Sequence, residues 1–264
     1  MSKQKEWVKK QYGAIAKQTG KGCCGPAPCD CDQASKTAVT LGYSQADITA
    51  APEGANLGLG CGNPLALASL VPGETVLDLG AGAGFDAFLA AARVGPTGRV
   101  IGVDITPEMV EKARANAARE GYSNVEFRLG DIENMPVENN SVDLVISNCV
   151  LNLVPDKEKA FREMARVLKP GGRMAISDIV LDKPLPEWLK NDANAYCACV
   201  SGAANRGEYL SKLAAAGLVD IQVVAETDAA KLLAGDCCDA GAKLLAGVVT
   251  SIQVVGRKPA SASR

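Results

Sequence analysis

The sequence predicts an α/β fold, a doubly wound and mostly parallel β-sheet, with a smaller α+β part at the C-terminal end. The first observation is that apolar, strand-like segments alternate with helical ones from residue 71 to residue 182, which is typical of a parallel sheet covered by helices. The second is a glycine-rich turn after the first strand, and the third is an acid that ends the second strand. The strands are predicted near residues 74–80, 99–105, 125–131, 142–149 and 172–180, and the helices near 85–94, 107–120 and 156–168.

The turn after the first strand contains Gly80, Gly82 and Gly84, with alanines between them. Glycine adopts backbone angles closed to other residues and lets a ligand approach the main chain, and the helix that follows offers unpaired N–H groups. Asp104 closes the second strand about twenty residues later, where a carboxylate can accept both hydroxyls of a ribose. These features predict an adenosine-containing cofactor at the carboxyl ends of the strands.

Three interpretations of this turn compete. The first is a loop without a ligand, which would not explain why a strand, a turn, a helix and a second-strand acid follow one another at the expected spacing. The second is an NAD-binding turn, which would have the different spacing Gly-x-Gly-x-x-Gly. The Gly-x-Gly-x-Gly spacing here, preceded by Asp78, resembles the first motif of class I S-adenosylmethionine (SAM) methyltransferases. The resemblance implies that SAM is the cofactor, that Asp78 supports the turn and that Asp131, which ends the third strand, lies at the adenine edge. The predicted cofactor-binding residues are Asp78, Gly80, Gly82, Gly84, Asp104, Ile105, Met109, Asp131, Ile132 and Asn148.

Composition narrows the classes of function. The 264 residues can bury one substantial core with an appendage. A formal charge of −2 and an aromatic content of 4% do not match the basic, aromatic surfaces of nucleic-acid-binding proteins, so a small substrate and no nucleic-acid partner are expected. The sequence shows no run typical of a signal peptide or a membrane span. A cytoplasmic protein without a membrane partner is therefore expected.

The chain contains ten cysteines and no histidine. Histidine is the usual general base and a common metal ligand, so triads based on histidine and zinc sites that contain it are excluded. Cysteine must therefore supply any soft-ligand chemistry. In a reducing compartment, thiols in this number are more readily interpreted as ligands or redox groups than as a disulfide framework.

A thiol-rich loop follows a predicted N-terminal helix at residues 5–17. This loop contains Cys23, Cys24, Cys29 and Cys31 among glycines and prolines. Glycines and prolines in this number do not favour a helix or a strand. A zinc site would prefer Cys-x-x-Cys pairs, so a loop that delivers a thiol to the site is the favoured interpretation.

Two further cysteines occupy informative positions. Cys61 is flanked by glycines, just before a short helix predicted at residues 65–70. Cys149 and its neighbour Asn148 end the fourth strand, next to the first strand at the switch point where ligands of such sheets bind. Cys149 is therefore expected to face the transferred methyl group, although a buried thiol that merely packs remains the alternative.

The pattern weakens after residue 182, and a boundary is predicted near there. The chain is divided into an N-terminal flank (1–66), a SAM-binding domain (67–183) and a C-terminal substrate domain (184–264). Cys197 and Cys199 lie two residues apart and should point to different faces, so only one should reach a shared site. A repeated segment, 230–235 and 242–247, encloses Cys237 and Cys238 and predicts two helical turns around a loop.

Four motifs together resemble the arsenite methyltransferase family, over about residues 12–224. They are Gly-Cys-Gly-Asn-Pro at 60–64, Asp-Leu-Gly-Ala-Gly-Ala-Gly at 78–84, Ser-Asn-Cys-Val-Leu-Asn-Leu at 147–153 and Cys-Val-Ser-Gly-Ala at 199–203. The resemblance implies that Cys149 and Cys199 bind trivalent arsenic beside SAM. It also implies that upstream cysteines, Cys61 and either Cys23 or Cys24, take part in transfer and reduction. Because inorganic arsenite can take three thiolates, either Cys61 or the Cys23/Cys24 pair is expected to supply the third thiol or the reducing electrons.

The function implied is methyl transfer from SAM to thiol-bound arsenic, with thioredoxin or glutathione as the external reductant. Trivalent arsenic carries a lone pair, so it needs no base to remove a proton, which agrees with the missing histidine. A C- or O-methyltransferase of the quinone or sterol type is the enzymatic alternative, but it leaves the three placed cysteines unexplained. A thiol-rich metal buffer or sensor is the non-enzymatic one.

Overall fold

The computed structural model describes residues 2–17, 33–229 and 245–260. Its helices are α1 (Lys3–Lys17), α2 (Gln33–Thr40), α3 (Gln45–Ala50), α4 (Phe85–Val94), α5 (Pro107–Arg119), α6 (Lys157–Val167), α7 (Glu187–Lys190), α8 (Ala193–Cys197) and α9 (Arg206–Ala215). Its strands are β1 (Thr75–Leu79), β2 (Arg99–Asp104), β3 (Val125–Leu129), β4 (Val142–Asn148), β5 (Leu168–Leu181), β6 (Val219–Asp228) and β7 (Val249–Arg257).

The strands form one sheet in the order β3-β2-β1-β4-β5-β7-β6. The first five strands are parallel, and β7 runs antiparallel between β5 and β6. This confirms the predicted doubly wound, mostly parallel sheet. Because β1 pairs with β4 as well as with β2, the strand order reverses at β1, and the crevice for a ligand lies at the carboxyl ends of β1 and β4.

The central strands are buried on both faces, which explains their nearly continuous apolar sequences. Leu77 and Leu79 of β1 pack into the layer that includes Phe161 of α6 and Tyr209 of α9. Val76, which points the other way, packs into the layer formed with α4 and α5. The glycine turn is therefore held at the rim of a sheet that both layers immobilise.

Two local predictions are wrong. The helix predicted at residues 65–70 is only a 3₁₀ turn, Pro64–Ala66. The side chain of Asn63 caps this turn, but Ser69 has a φ of 43°, and a left-handed residue cannot continue a right-handed helix. The fifth strand begins earlier than predicted, because Leu168 already pairs with Val142 ahead of an irregularity in the ladder.

The C-terminal part supplies the two last strands of the same sheet, β6 and β7. The three-part division of the chain stays a prediction. The predicted N-terminal helix is confirmed as α1, which packs against α5 and α8. The thiol loop with Cys23, Cys24, Cys29 and Cys31, and the segment with Cys237 and Cys238, lie outside the described residues. No helix in the described ranges is long and apolar enough to cross a membrane.

Candidate active site

The glycine turn forms an open cradle at the end of β1. Gly80, Gly82 and Gly84 all have positive φ, at 67°, 53° and 98°. A Cβ on Gly80 would collide with Val150, and one on Gly84 would collide with Phe88 and Phe127. A Cβ on Gly82 would meet nothing closer than 4.0 Å. Two of the glycines therefore permit close packing, while the backbone of Gly82 faces free space that a ligand can use.

Asp78 is buried in β1 beneath this cradle, with 3% of its surface exposed. Its Oδ2 has no hydrogen-bond partner among the described residues. Burial, followed by the nearby charges of Asp86 and Asp104, raises its pKa well above the usual value, although the nearby backbone N–H of Ala87 in α4 lowers it. An unpaired buried carboxylate oxygen favours a cationic ligand, and SAM is cationic.

Asp104, at the end of β2, is tied to the turn. Its Oδ2 accepts a hydrogen bond from the Gly82 N–H at 2.9 Å, and its Oδ1 accepts one from the Thr106 N–H at 2.8 Å. Burial raises the pKa of this carboxyl. A carboxylate at the rim of an open glycine turn can accept the hydroxyls of a ribose, so the residues present here fit the predicted adenosine cofactor.

The other predicted cofactor residues lie around the same crevice. Asp131 and Glu133 both accept hydrogen bonds from the Lys5 ammonium of α1, at 2.6 and 2.5 Å. Met109 and Ile132 are buried. Ile105 is partly buried against the apolar cluster that contains the site cysteines.

Asn148, predicted to bind the cofactor, directs its amide toward the Cys61 loop. Its Oδ1 accepts a hydrogen bond from the Cys61 N–H at 2.9 Å, and its Nδ2 donates to the Gly62 carbonyl at 2.8 Å. A Cβ on Gly60 would lie 2.8 Å from this amide, and one on Gly62 would lie 2.8 Å from Ser177 Oγ. The Gly-Cys-Gly motif therefore lets the loop lie directly on the end of β4. The cofactor role of Asn148 stays a prediction.

Three cysteines meet at this point. Cys61, Cys149 and Cys199 are 3%, 8% and 3% exposed. The thiols of Cys61 and Cys199 both lie close enough to that of Cys149 to shift its pKa, and Cys199 Sγ donates to the Cys149 carbonyl at 2.7 Å. Cys197, at the end of α8, is only half-buried. As predicted, only one cysteine of this pair reaches the shared site.

Cys149 and Cys199 both adopt left-handed backbone conformations, with φ of 60° and 63°. Such angles are strained for a residue with a side chain, and the surrounding structure must hold them. The Cys149 N–H donates to the Ser177 carbonyl at 2.8 Å, and the Cys199 N–H donates to the Tyr196 carbonyl at 2.9 Å. This strain orients two thiols toward each other, which is typical of a functional site.

Without a bound ligand, the three thiols are held in the neutral form. Burial raises the pKa of Cys61. The contact with Cys199 lowers the pKa of Cys149. Cys61 and burial raise it by more than this, so that the pKa of Cys149 lies well above its usual value. The contact with Cys149, together with burial, raises the pKa of Cys199 in the same way. The cluster therefore suits a ligand that reacts with thiols or neutralises thiolates.

The most informative comparison concerns nearly the whole chain. A family model described as a methyltransferase domain matches residues 70–217. An arsenite methyltransferase of Halobacterium salinarum is 43% identical over 265 residues, which cover 97% of this chain and 67% of that protein. This chain belongs to the arsenite methyltransferase family.

Other members of the family agree. The arsenite methyltransferase of Aquipseudomonas alcaligenes is 40% identical over 65% of this chain and 52% of its own length. The solved structure of an arsenic(III) SAM methyltransferase from Chlamydomonas reinhardtii superposes with a TM-score of 0.65 at 32% identity, over 88% of this chain and 75% of that one. The chain thus spans about two thirds of the first curated relative and half of the second. Family membership confirms the resemblance drawn from the four motifs.

The family motifs did not point to two residues that the structure places at the thiols. Asp178 of β5 is fully buried, and burial raises its pKa to about 7 although the Lys157 ammonium lowers it. Tyr12 of α1 donates to the Cys197 carbonyl at 3.0 Å and lies near Cys149 and Cys199. Asp178 lies in the carboxyl-terminal half of a parallel strand, the signal that identified Asp104 and Asp131. Nothing in the sequence near Tyr12 gives such a signal.

Proposed function

We propose that this chain is a SAM-dependent arsenite methyltransferase that methylates trivalent arsenic held by Cys61, Cys149 and Cys199. The observation that supports this most directly is the grouping of three buried thiols immediately beyond β4, beside the glycine turn of β1. The chain's family membership favours the same reaction.

Ligation of arsenic suits thiols that are neutral before the substrate arrives. When a thiol displaces a hydroxyl of arsenite, the sulfur–hydrogen and arsenic–oxygen bonds break, an arsenic–sulfur bond forms, and the hydrogen leaves with the hydroxyl as water. No free thiolate has to be maintained in the buried cluster. Soft sulfur ligands also match a thiophilic ion better than oxygen ligands do.

The cofactor's part can be assigned to particular residues. When bound, SAM supplies a methyl group activated by a positively charged sulfur. Asp104 would hold the ribose and Asp131 the adenine edge, while the unpaired Oδ2 of Asp78 favours the cationic end. Val150, directly after Cys149, fills the space over Gly80. The segment that follows Cys149 is therefore in contact with the glycine turn. This contact would help to orient arsenic held by Cys149 toward the methyl group.

Methylation oxidises arsenic by two electrons, and neighbouring thiols can return them. If two sulfur ligands leave arsenic together, both arsenic–sulfur bonds break and one disulfide forms, and arsenic returns to the trivalent state. The sulfur atoms of Cys61 and Cys149 lie within 4.8 Å of each other, which makes this pair the candidate for that disulfide. An external dithiol or thiol, such as reduced thioredoxin or glutathione, would reopen it. A reducing compartment such as the cytoplasm suits this cycle.

The direct test is to incubate the purified chain with SAM, arsenite and a thiol reductant, and to separate the arsenic species. Methylated arsenic and an equivalent amount of S-adenosylhomocysteine are expected. A Cys149→Ser variant that still binds SAM should form neither product. If the unmodified protein bound SAM and arsenite but produced no methylated arsenic, the proposed reaction would be wrong.

A further inference from the structure

Asp178 places a hard oxygen ligand beside two soft sulfur ligands. One carboxylate oxygen of Asp178 and the Sγ atoms of Cys61 and Cys149 all lie within 4.8 Å of one another, and all three residues are buried. Within the described parts of the chain, no other group of three or more cysteine or acidic side chains has this proximity. Methyl transfer to arsenic, as proposed above, makes no use of the carboxylate.

We propose that Cys61, Cys149 and Asp178 form a binding site for a thiophilic divalent cation, such as Zn²⁺ or Cd²⁺, which overlaps the thiols of the arsenic site. Zinc–sulfur bonds of about 2.3 Å at tetrahedral angles put two sulfur ligands about 3.8 Å apart, and a carboxylate oxygen slightly closer. The observed cluster meets that requirement with small side-chain adjustments. A water molecule can supply the fourth ligand.

The carboxylate of Asp178 is already oriented by the surrounding structure. The Ile179 N–H and the Asn152 side-chain amide donate to Oδ1, at 2.9 and 2.8 Å, and the Tyr209 hydroxyl donates to Oδ2 at 3.0 Å. Hydrogen bonds of this kind fix the direction of a metal ligand and contribute to affinity. Lys157 lies close enough to affect the Asp178 carboxyl, and it offsets part of the negative charge that two thiolates and a carboxylate would bring.

The two kinds of ion should use different ligand sets. Trivalent arsenic makes three bonds and carries a lone pair, so three sulfur ligands satisfy it and Asp178 is not required. A divalent cation has no such lone pair and prefers four ligands. Asp178 is therefore expected to distinguish the ions, whereas Cys61 and Cys149 serve both.

A small cavity lies against Cys61. It is lined by Thr40, Leu41, Gly62, Glu226, Thr227, Ser251 and Gln253, and its one charged side chain, Glu226, is acidic. A bound cation would occupy two arsenic ligands. If the proposed arsenic chemistry holds, the cation would inhibit competitively against arsenite and not against SAM.

Cadmium binding tests the site directly, without arsenic or turnover. The full chain is used with the six cysteines outside the described residues replaced by serine, so that the ultraviolet sulfur-to-cadmium absorption reports on the remaining thiols. Asp178→Asn and Cys61→Ser should each weaken Cd²⁺ binding at least tenfold. Cys199→Ser should change it less than threefold. Cys197→Ser and Asp182→Asn are the matched controls and should have no effect, and SAM affinity checks the fold of every variant.

Arsenite binding to the same set of proteins separates the two ions. Asp178→Asn should change arsenite affinity less than threefold, whereas Cys199→Ser should weaken it at least tenfold. Unchanged Cd²⁺ affinity in Asp178→Asn would overturn the proposed cation site. Equal losses of Cd²⁺ affinity in Cys199→Ser and Cys61→Ser would overturn it as well. If Asp178→Asn does not bind SAM, it has not folded correctly. The comparison of Cd²⁺ affinity between Cys199→Ser and Cys61→Ser then decides whether the cation site exists. Cd²⁺ binding as expected in a chain that never methylates arsenic would leave this site standing and refute the proposed function instead.

Discussion

The side-chain amide of Asn148 holds the backbone of Cys61: its Oδ1 accepts the Cys61 N–H at 2.9 Å, and its Nδ2 donates to the next carbonyl at 2.8 Å. Asn148 precedes Cys149 in the chain, so one residue fixes the distance between two thiols that come from different segments. The same amide also donates to the Tyr43 hydroxyl at 3.0 Å and to the Asp86 carboxylate at 3.2 Å.

Replacement of Asn148 by alanine should loosen the Cys61 loop without removing a thiol. Of the four hydrogen bonds lost, the two to the loop stabilise it by about 1 kcal/mol each, and a loop displaced by about 1 Å can lower turnover about 100-fold. We expect slower formation of a Cys61–Cys149 disulfide under mild oxidation and reduced arsenite methylation, with SAM affinity nearly unchanged. Calorimetry and peptide mapping measure these effects.

Tyr43→Phe is the control for Asn148→Ala, because it removes the hydroxyl next to the amide but leaves both bonds to the loop. It should form the disulfide at nearly the normal rate. A large loss of SAM affinity in Asn148→Ala, with normal disulfide formation, would instead support the cofactor role predicted from the sequence.

Asp104→Ala should weaken SAM binding by about 1.5–3 kcal/mol, the range for a hydrogen bond to a charged group. The variant removes the predicted ribose acceptor and also the acceptor of the Gly82 and Thr106 N–H groups. Asp104→Asn keeps one acceptor oxygen and should be milder. Arsenite binding should survive in both variants. Unchanged SAM affinity in calorimetry, or a preference for NAD, would contradict the cofactor assignment.

Cys149→Ser and Cys199→Ser should each abolish methylation of every trivalent arsenical. A serine hydroxyl is a hard ligand that stays protonated at neutral pH, so it cannot replace a thiolate on arsenic. Cys197→Ser should have a much smaller effect, because Cys197 lies outside the thiol cluster and is only half-buried. An inactive Cys197→Ser protein beside an active Cys199→Ser protein would reverse this assignment.

Cys61→Ser should distinguish between two arsenic substrates. Inorganic arsenite can take three thiolates, whereas monomethylated trivalent arsenic has one position filled by carbon and can take two. The variant is therefore expected to lose turnover on arsenite yet to retain the first methylation of the monomethyl compound. A single-turnover assay with each substrate makes the comparison. Equal losses on both would show a general structural or catalytic role, and no loss on either would show that Cys61 only packs.

The buried Asp86 should make stability depend on pH. Burial raises its pKa from 3.8 to about 6, although hydrogen bonds from Tyr43 and Asn148 lower it. Between these pH values the folded state binds more protons than the unfolded state, so stability falls as pH rises from about 4 to about 6. Two pKa units correspond to about 3 kcal/mol. Denaturant unfolding of wild type and Asp86→Asn at pH 4 and pH 7 should show a smaller decrease in the variant, which loses only the contribution of Asp86, while the other buried carboxyls with raised pKa values act in both proteins. Parallel pH dependence in both proteins would assign the effect elsewhere.

Local pattern was sufficient to predict the methyltransferase core. The apolar runs of β1, β2 and β4, and the glycine turn between β1 and α4, are encoded by neighbouring residues, and strand order at the switch point follows from right-handed crossovers. The family motifs also indicated Cys61, Cys149 and Cys199 as a group, because each motif contains its cysteine.

Contacts between distant segments decided the rest. The left-handed angles of Cys149 and Cys199 exist only because β5, α8 and their loops hold them.

The sequence by itself determined the sheet and the cofactor turn, because each depends on residues that are close in the chain, and its family motifs pointed to the three thiols. Only the tertiary structure brought Asp178 beside Cys61 and Cys149, and turned Asn148 toward the loop of Cys61. Segments more than 80 residues apart meet there. Their meeting depends on packing across the whole sheet, which no local pattern records.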